Sequence, residues 1–415
     1  MDRDEVRSLA RKFIEASKRA SLFAHDPPSS TMVVIKYFDN IYYFREGKEG
    51  SSTSAYGEAL YMATCLRMHN EESYEGLDYI EREVRRRAFW LLFGADKSIC
   101  AISHRPCSLR LEDCTVRLPT EVDDEYITAR AILPQPPNKT PLISGFNFIS
   151  RVFSLIAEII SIVRRDVHKP PSDATAVARL EEVCEIHRRI LNAFNDVPPE
   201  LRLRNTSARR AALGHGTGSQ PAFPLLDLDA GGFAADFDGA GFTQAAIAEV
   251  NQLFDNPNAN REDAGNAFLV MQANIYVTQH MARLMAEQHR HQLVASLRTA
   301  GYDLSLVHSP VVAAEIARGG WTADDREAVA RDLLQVLHTI PILSIATNGP
   351  SLVHKVRFVA STLLDSIREA DTAPKPAARA LNYLWDFLAI LSEIERNYSL
   401  GEEIPPPQTL DASSL

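Results

Sequence analysis

Cysteine is scarce in this sequence, and its spacing argues against disulfide frameworks and zinc sites. The chain of 415 residues has five cysteines, none of them in a Cys-x-x-Cys pair. Disulfide frameworks and structural zinc sites are built from closely paired cysteines, so we predict a reducing compartment and no metal site in this chain. Cys100, Cys107 and Cys114 recur at intervals of seven residues, which we attribute to chance.

Positive charge is also in short supply. Lys and Arg number 44 against 54 Asp and Glu, the net charge is −10, and there is no basic block. Nucleic-acid binding uses clustered Lys and Arg against phosphates, so we expect no direct nucleic-acid contact by this chain. The N-terminus lacks the apolar segment of a secretory signal. The most apolar run, 146–163, contains Arg151 and Glu158, and it predicts a buried helix and no membrane contact.

Known catalytic motifs are missing as well. The sequence has no phosphate-binding loop with its lysine and no Gly-x-Ser-x-Gly turn. Asp123-Asp124-Glu125 would suit an all-α enzyme of the terpene-synthase kind, but these acids follow Pro119 at a loop end, where capping or solvation accounts for them. His289 and His291 point apart on a helix and predict a solvated face. We therefore predict no catalytic residue and no enzyme.

Helical periodicity dominates what is present. Only residues 31–44, rich in Val, Ile and Tyr, would permit a strand by pattern alone. The predicted helices cover residues 4–23, 56–68, 79–99, 146–168, 173–195, 243–254, 262–291, 322–346 with a bend at Pro341, 350–370 and 374–398. We predict an all-α fold, a large multi-helix domain of packed antiparallel helices without significant sheet. Gly, Ala, Ser and Pro dominate residues 205–242. This composition predicts either a mobile insert or a segment whose scattered Phe and Leu side chains pack against the rest of the domain. Residues 399–415 predict a disordered tail.

The chain is organised around residues 56–124, here called the signature stretch. Asp78 stands three residues before Glu81, the spacing of a capping box, and an apolar stripe follows to Ile99. Glu81 and Glu83 each precede an arginine by four residues, the favourable orientation for helical ion pairs. Past Ile99 the helical period stops. The rest of the signature stretch is too apolar to be fully exposed to solvent, so we expect it to lie over the core.

The signature stretch resembles the central motif of the fungal-specific transcription factor domain, also called the middle homology region, of fungal zinc-binuclear-cluster regulators. His104 stands where that family usually has glycine, and Lys97 stands where arginine is commoner. The residues that carry the resemblance are Leu66-Arg67-Met68-His69, Glu71, Glu72, Glu81, Glu83, Arg85, Arg86, Arg87, Phe89, Trp90, Asp96, Lys97, Arg105, Pro106, Leu109, Asp113, Leu118, Pro119, Asp123 and Asp124.

The resemblance implies a regulatory, effector-sensing domain over residues 1–398. It also favours a helix over residues 31–44, because a helix is expected before the signature stretch. Such a domain would control an attached zinc-cluster DNA-binding module in response to a small metabolite such as a sugar. Co-regulator proteins and a homodimer are the expected partners, and the nucleus, or shuttling between cytoplasm and nucleus, is the expected location. Zinc is expected only in that module, whose six-cysteine pattern is absent from residues 1–50. The chain is then a regulatory domain cut free of that module, or alternatively a natural homologue without one. A protein-interaction scaffold without ligand is the alternative function.

The helix predicted over 262–291 offers the best material for an effector site. It is rich in Met and aromatic residues, which form adaptable apolar walls, and its amides and histidine would discriminate hydroxylated ligands. The alternative is that these polar groups satisfy one another or face water. The residues expected to form the site are Gln272, Tyr276, Gln279 and His280, with Asn348 and Trp385 closing it.

Three arginines of the signature stretch carry a structural prediction. We expect Arg86 or Arg87, and also Arg105, to be at least half buried and paired with acids. Removing one partner of a buried pair costs roughly 3–5 kcal/mol. The expected acids are Glu83, Asp96 and Asp113.

Overall fold

The computed structural model describes residues 3–21, 26–203, 266–302, 309–310, 312–314, 323–368 and 374–398. The predicted insert at 205–242, the predicted helix at 243–254 and the predicted tail at 399–415 lie outside these residues.

Helices account for the regular structure of the described residues, and the only β pairing there is an isolated bridge between Ile127 and Ile132. The prediction of an all-α, multi-helix fold is confirmed. Short 3-10 turns lie at Glu71–Tyr74, Leu111–Asp113, Asp124–Tyr126 and Pro199–Leu201. The α-helices are α1 (Arg3–Ser21), α2 (Ser30–Arg45), α3 (Glu49–Cys65), α4 (Tyr79–Ser103), α5 (Ile143–His168), α6 (Asp173–Asn192), α7 (Ala267–Thr299), α8 (Ala323–Thr339), α9 (Ile342–Ala346), α10 (Pro350–Ser361), α11 (Leu363–Arg368) and α12 (Pro374–Tyr398).

The segment that could have been a strand is helix α2. Ser29 begins it, with its side chain accepting a hydrogen bond from Met32 N at 3.3 Å. The predicted cap of α4 also forms, because Asp78 Oδ1 accepts from Glu81 N at 2.8 Å. Helices α2 to α6 bury one continuous apolar core around residues such as Phe89 and Ile156.

Helix α5 packs against α4 and α7. It is long and apolar enough to cross a membrane by length and composition alone, yet 67% of its most apolar window is buried inside the structure. Helices α4 and α5 approach closely at Gly94, where an added Cβ would lie 2.8 Å from the Phe153 ring. We therefore describe α5 as a core helix, and Gly94 as the residue that permits its approach.

Two predicted helices are broken in the C-terminal half. The helix predicted over 322–346 divides into α8 and α9, because Pro341 has no N–H to continue the hydrogen-bond ladder. The one predicted over 350–370 divides into α10 and α11 at Thr362. Helices α8 to α12 form a second apolar core.

Helix α7 belongs to both cores. Ile275 and Met281 lie in the first core, against α5 and α6. Val277 and Leu284 lie in the second core, against α8 and α10. It is therefore the element through which the N-terminal and C-terminal helices contact each other most extensively.

Candidate regulatory site

The charged residues at the start of α4 form a buried network. Glu83 accepts from Arg86 Nη1 at 2.6 Å, from Thr120 N at 2.9 Å and from Thr120 Oγ1 at 2.8 Å. The other side of the Arg86 guanidinium donates to Glu71. Burial alone would raise the pKa of Glu71, but hydrogen bonds from Arg86 and from Arg117 N hold it below its usual value. The prediction that Arg86 or Arg87 is at least half buried and paired with an acid such as Glu83 is confirmed for Arg86.

The neighbouring charges of α4 link it to other elements. Arg85 lies 2.7 Å from Glu81, which also accepts from Ser30 Oγ of α2 at 2.9 Å. Arg87 donates to Asp124 at 2.6 Å. These bonds hold α2 and the 120–126 loop against α4.

Aromatic residues and loop carbonyls complete the signature stretch. Phe89 is buried in the core, and Trp90 Nε1 donates to Arg117 O at 2.9 Å. Pro119 O accepts from Asn147 Nδ2 of α5 at 2.8 Å. The loop that follows α4 is therefore fastened over the core, as its apolar residues predict.

A second buried pair lies at the end of α4. Asp96 accepts from Lys97 Nζ at 2.8 Å, Ser108 N at 3.0 Å and Leu109 N at 3.3 Å. Lys97 also donates to Leu109 O, and both charged side chains are almost fully buried. This arrangement anchors the first turn of the loop to α4.

The predicted partners of Arg105 are wrong. Its side chain is 36% exposed and therefore more than half buried, but it pairs with Glu49 and Thr53 on α3. Lys97 and two backbone N–H groups already engage Asp96, and Asp113 is exposed on the 3-10 turn that follows. Tertiary proximity to α3, which sequence spacing does not report, decides the pairing.

The backbone at His104 explains why glycine is usual there. His104 is the C-cap of α4 and has φ 53° and ψ 23°, in the left-handed region. Glycine enters that region without the steric cost of a side chain. Residues 104–110, here called the link, leave the helix from this point, and Pro106 O within it lies 3.4 Å from Cys100 Sγ.

A polar cleft opens beside the Glu71–Arg86 pair. Its volume is about 680 Å³, and acids and arginines share its lining. Sequence reasoning looked for a site in the C-terminal half and missed this cleft, although the signature residues Glu71 and Arg86 mark its wall. The lining residues are His69, Asn70, Glu71, Glu72, Tyr74, Glu75, Arg82, Arg86, Asp113, Thr115 and Arg117.

The amides predicted to bind an effector donate to backbone carbonyls. Gln272 donates to Glu200 O at 2.8 Å, and Gln279 donates to Ile190 O at 3.1 Å. Asn348 donates to Val270 O at 3.1 Å, which places it at the first turns of α7. These bonds fasten α7 to its neighbours in the structure as it stands.

The remaining predicted residues are divided between interior and surface. His280 is buried with Nδ1 2.7 Å from Tyr276 O, and burial holds its pKa below the usual value. The Tyr276 ring packs on Phe194 with centroids 4.7 Å apart. Trp385 is 56% exposed on α12. The structure thus gathers five of the six residues along α7 and leaves Trp385 on the surface; effector binding by them stays a prediction.

Other ionisable groups lie on or against α7. The prediction of a solvated His289 is wrong: it is buried, with Nε2 2.7 Å from Asp166 of α5. Glu287 lies 3.1 Å from His187 of α6 and 2.8 Å from Arg283. The reason is that α7 packs against α5 and α6, so few of its faces are open to water.

Lys355 of α10 is the most unusual of these groups. It is 2% exposed, donates to Asn274 Oδ1 at 3.0 Å and Thr278 Oγ1 at 2.8 Å, and lies over the Phe153 ring. Burial lowers its pKa to about 7. Among the described residues, no acidic side chain forms an ion pair with it.

Comparisons with known proteins point to one class. The family model described as fungal specific transcription factor domain matches residues 21–191. Pyrimidine pathway regulatory protein 1 of Saccharomyces cerevisiae is 36% identical over 72 residues, 17% of this chain and 8% of that protein. Transcriptional activator protein acu-15 of Neurospora crassa is 22% identical over 147 residues, 35% of this chain and 15% of that protein. Activator of stress genes 1 of Saccharomyces cerevisiae is 28% identical over 127 residues, 30% of this chain and 13% of that protein.

The family that the matching model describes and the relatives named above are transcription regulators, not enzymes. Residues 21–191 of the chain match this family, and they include the signature stretch. The matched segments span 15% or less of the length of the relatives named above. No solved structure matches the chain.

The acids that suggested a terpene-synthase-like enzyme are engaged in protein contacts. Asp123 accepts from Leu142 N at 2.9 Å and lies 2.9 Å from Lys139, while Asp124 binds Arg87. The prediction that the chain is not an enzyme agrees with the matching family and relatives, which are transcription regulators.

Proposed function

We propose that this chain is the regulatory domain of a fungal transcription factor and that it senses a small metabolite. Binding would control an attached zinc-cluster DNA-binding module, in the nucleus, through co-regulator proteins and as a homodimer. The domain would extend over residues 1–398, beyond the segment that the family model matches. The observation that supports this proposal is the placement of α7 in both apolar cores with buried polar groups along it.

A helix shared by two cores is a suitable element for transmitting binding. A shift of α7 changes its packing against α5 and α6 and against α8 and α10 at once. Packed interfaces tend to have discrete arrangements, and a ligand favours one of them by its differential affinity. Binding at α7 would therefore alter the surface of the signature stretch.

The buried amides of α7 suggest the ligand chemistry. A buried amide must keep its hydrogen bonds, because leaving one unmade costs about 1–3 kcal/mol. Gln272 and Gln279 now satisfy this need with carbonyls of residues 190–202. A hydroxylated ligand, such as a sugar, could take the place of those carbonyls, and segment 190–202 would be released.

Calorimetry on a panel of sugars and small hydrophobic metabolites tests this proposal. The variants are a double Gln279→Ala, His280→Ala change and the matched control Ser296→Ala, which alters an exposed residue of the same helix. We expect a ligand at 100 times its Kd to stabilise wild type and control by about 2.7 kcal/mol, and the double variant much less.

Two outcomes would contradict the proposal. Equal affinity for wild type and the double variant would place the effector elsewhere, with the polar cleft as the next position to test. If no compound changes the melting temperature, the domain is instead a protein-interaction scaffold that works without ligand.

The chain itself is proposed to make no contact with nucleic acid, and its charge of −10 supports this. Sub-micromolar, salt-sensitive binding of duplex DNA in a gel-shift assay would overturn it.

A further inference from the structure

We propose that Cys100 and Cys107 form a dithiol that a peroxide oxidises to a disulfide, with Cys107 as the thiol that reacts first. Cys100 lies in the last turn of α4, and Cys107 lies in the link that follows. Their sulfur atoms and a carboxylate oxygen of Asp96 lie within 4.8 Å of one another. The proposed effector site does not use this pair, so the two proposals fail or stand independently.

The two thiols differ in accessibility. Cys100 is buried, 3% exposed, whereas Cys107 is partly exposed on the link. An oxidant in solution therefore reaches Cys107 first, and Cys100 is held behind it as the resolving thiol. Cys114 is not part of this group: its Sγ lies 2.9 Å from the carbonyl oxygen of Arg110, the last residue of the link.

Cationic groups surround Cys107. Arg164 of α5 donates from Nη1 to Cys107 Sγ at 3.0 Å. Hydrogen bonding with Cys100 and the charges of Lys97 and Arg164 lower the pKa of Cys107, while burial and Asp96 act in the opposite direction. The hydrogen bond with Cys107 and burial raise the pKa of Cys100. The thiolate is the reactive form, so this environment selects Cys107 as the nucleophile.

The chemical steps balance with a peroxide as the oxidant. The Cys107 thiolate attacks one oxygen of hydrogen peroxide, the O–O bond breaks, and sulfenic acid and hydroxide form. The Cys100 thiol then attacks the Cys107 sulfur, the S–O bond breaks, and a disulfide and one water form. Two electrons pass from the two sulfurs to the peroxide.

The position of Cys107 allows the disulfide to close. An S–S bond of about 2.05 Å requires the sulfurs to approach further. Cys107 lies outside any helix, so the link can move without unwinding α4. Closure would remove the thiolate that Arg164 binds, and it would pull on Arg105, which connects the link to Glu49 of α3.

The same three atoms could be considered a metal site, but the surrounding charges oppose this. Lys97 Nζ lies 2.8 Å from Asp96 Oδ2, and Arg164 lies 3.0 Å from Cys107 Sγ. A bound cation would have to displace one ammonium and approach one guanidinium. Asp96 Oδ1 is also engaged, by Ser108 N.

Mass spectrometry on the reduced full chain tests the proposal. Trypsin does not cleave before proline, so Arg105-Pro106 stays intact and residues 98–110 carry both cysteines in one peptide. We expect hydrogen peroxide to remove two hydrogen atoms from this peptide and dithiothreitol to restore them. In Cys100→Ser, dimedone should label Cys107, and in Cys107→Ser it should label neither position.

Alkylation rates test the environment of Cys107. We expect iodoacetamide at neutral pH to modify Cys107 before the exposed Cys65, and several-fold more slowly in Arg164→Ala. Arg165→Ala is the matched control, since Arg165 is exposed and lies near Glu182. Equal rates in the two arginine variants, a faster Cys65, or unchanged thiols in peptide 98–110 after peroxide would overturn the proposal. So would stoichiometric zinc that blocks alkylation until a chelator is added, because it would show a metal site.

Discussion

One buried lysine of the signature stretch and one of the C-terminal half are stabilised differently. In the signature stretch, Lys97 donates to the carboxylate of Asp96. In the C-terminal half, Lys355 is as buried as Lys97, but among the described residues it donates to neutral oxygens and forms no ion pair. The burial of Lys97 is offset by an opposite charge, whereas the cost of burying Lys355 is reduced by loss of its proton.

The difference predicts opposite effects of substitution. An ion pair needs complementary residue types at fixed positions, and removing one partner leaves the other charge buried and unpaired. A buried lysine beside an amide and a hydroxyl needs only space and neutral acceptors. We therefore expect substitution of Asp96 to cost stability, and the removal of Lys355 to gain it.

The largest effect is expected for Asp96→Ala. The change leaves the Lys97 ammonium buried without its carboxylate and removes the acceptor of Ser108 N and Leu109 N. The free energy of unfolding should fall by about 3–5 kcal/mol, measured by urea denaturation. Asp113→Ala, at an exposed acid of the same loop, should stay within about 0.5 kcal/mol of wild type. Similar losses in the two variants would remove the distinction between buried and exposed acids.

Lys355→Met should show the opposite sign and a dependence on pH. An unperturbed lysine has a pKa of 10.5, whereas the pKa of Lys355 in the folded protein is about 7. Between these values the unfolded state binds more protons, so wild-type stability rises with pH, and the cost of burial is fully present below about pH 7. Relative to the variant, wild type should gain about 2 kcal/mol between about pH 7 and about pH 9.

The control for this pH series is Lys375→Met, at the exposed start of α12. Its stability should run parallel to that of wild type across the series. If the stability of Lys355→Met also ran parallel to that of wild type across the pH series, Lys355 would titrate as an exposed lysine. The contrast between Lys97 and Lys355 would then be lost.

Gly94→Ala should cost about 1–3 kcal/mol, because the new methyl group meets the Phe153 ring between α4 and α5. Gly57→Ala is its matched control: it lies within α3 and its Cβ would meet nothing within 4 Å. Alanine is the better helix former, so this change should raise stability by about 0.5–1 kcal/mol. Thermal denaturation of both variants measures the difference, and equal signs would contradict the close approach of α4 and α5.

The smallest effect is expected for Arg105→Ala. Sequence reasoning expected a buried pair, but Glu49 is 81% exposed and the pair is partly solvated. Exposed ion pairs contribute about 0–1 kcal/mol, so the melting temperature should fall by only a few degrees at most. A loss near that of Asp96→Ala would show that the position of Arg105 on the link is more important than its exposed partner suggests.

Local rules set much of this fold. Helical period and capping predicted α4, α5, α6 and α12 closely, because each of these depends on residues that are near in sequence. The segment at 31–44 is different: its composition permits a strand, and the family resemblance was needed to favour helix α2. The bend expected at Pro341 is a complete break, and the break at Thr362 was not predicted, because a proline or a threonine within an apolar pattern does not determine whether a helix bends or ends.

The sequence by itself determined the helical class, the cap at Asp78 and the pair of Glu81 with Arg85, since these depend on short spacings, and it carried the resemblance to the family. Its spacing favoured a pair of Glu83 with Arg87, whereas the structure pairs Glu83 with Arg86 and Arg87 with Asp124. Only the tertiary structure decided that Arg105 binds Glu49, that His289 is buried against Asp166, and that Cys107 meets Cys100 beside Arg164. Each of these contacts depends on how helices pack or how a chain turns after a helix, and packing is set by the sum of many weak apolar contacts. Residue spacing in one segment does not report the packing energy that these many contacts add up to.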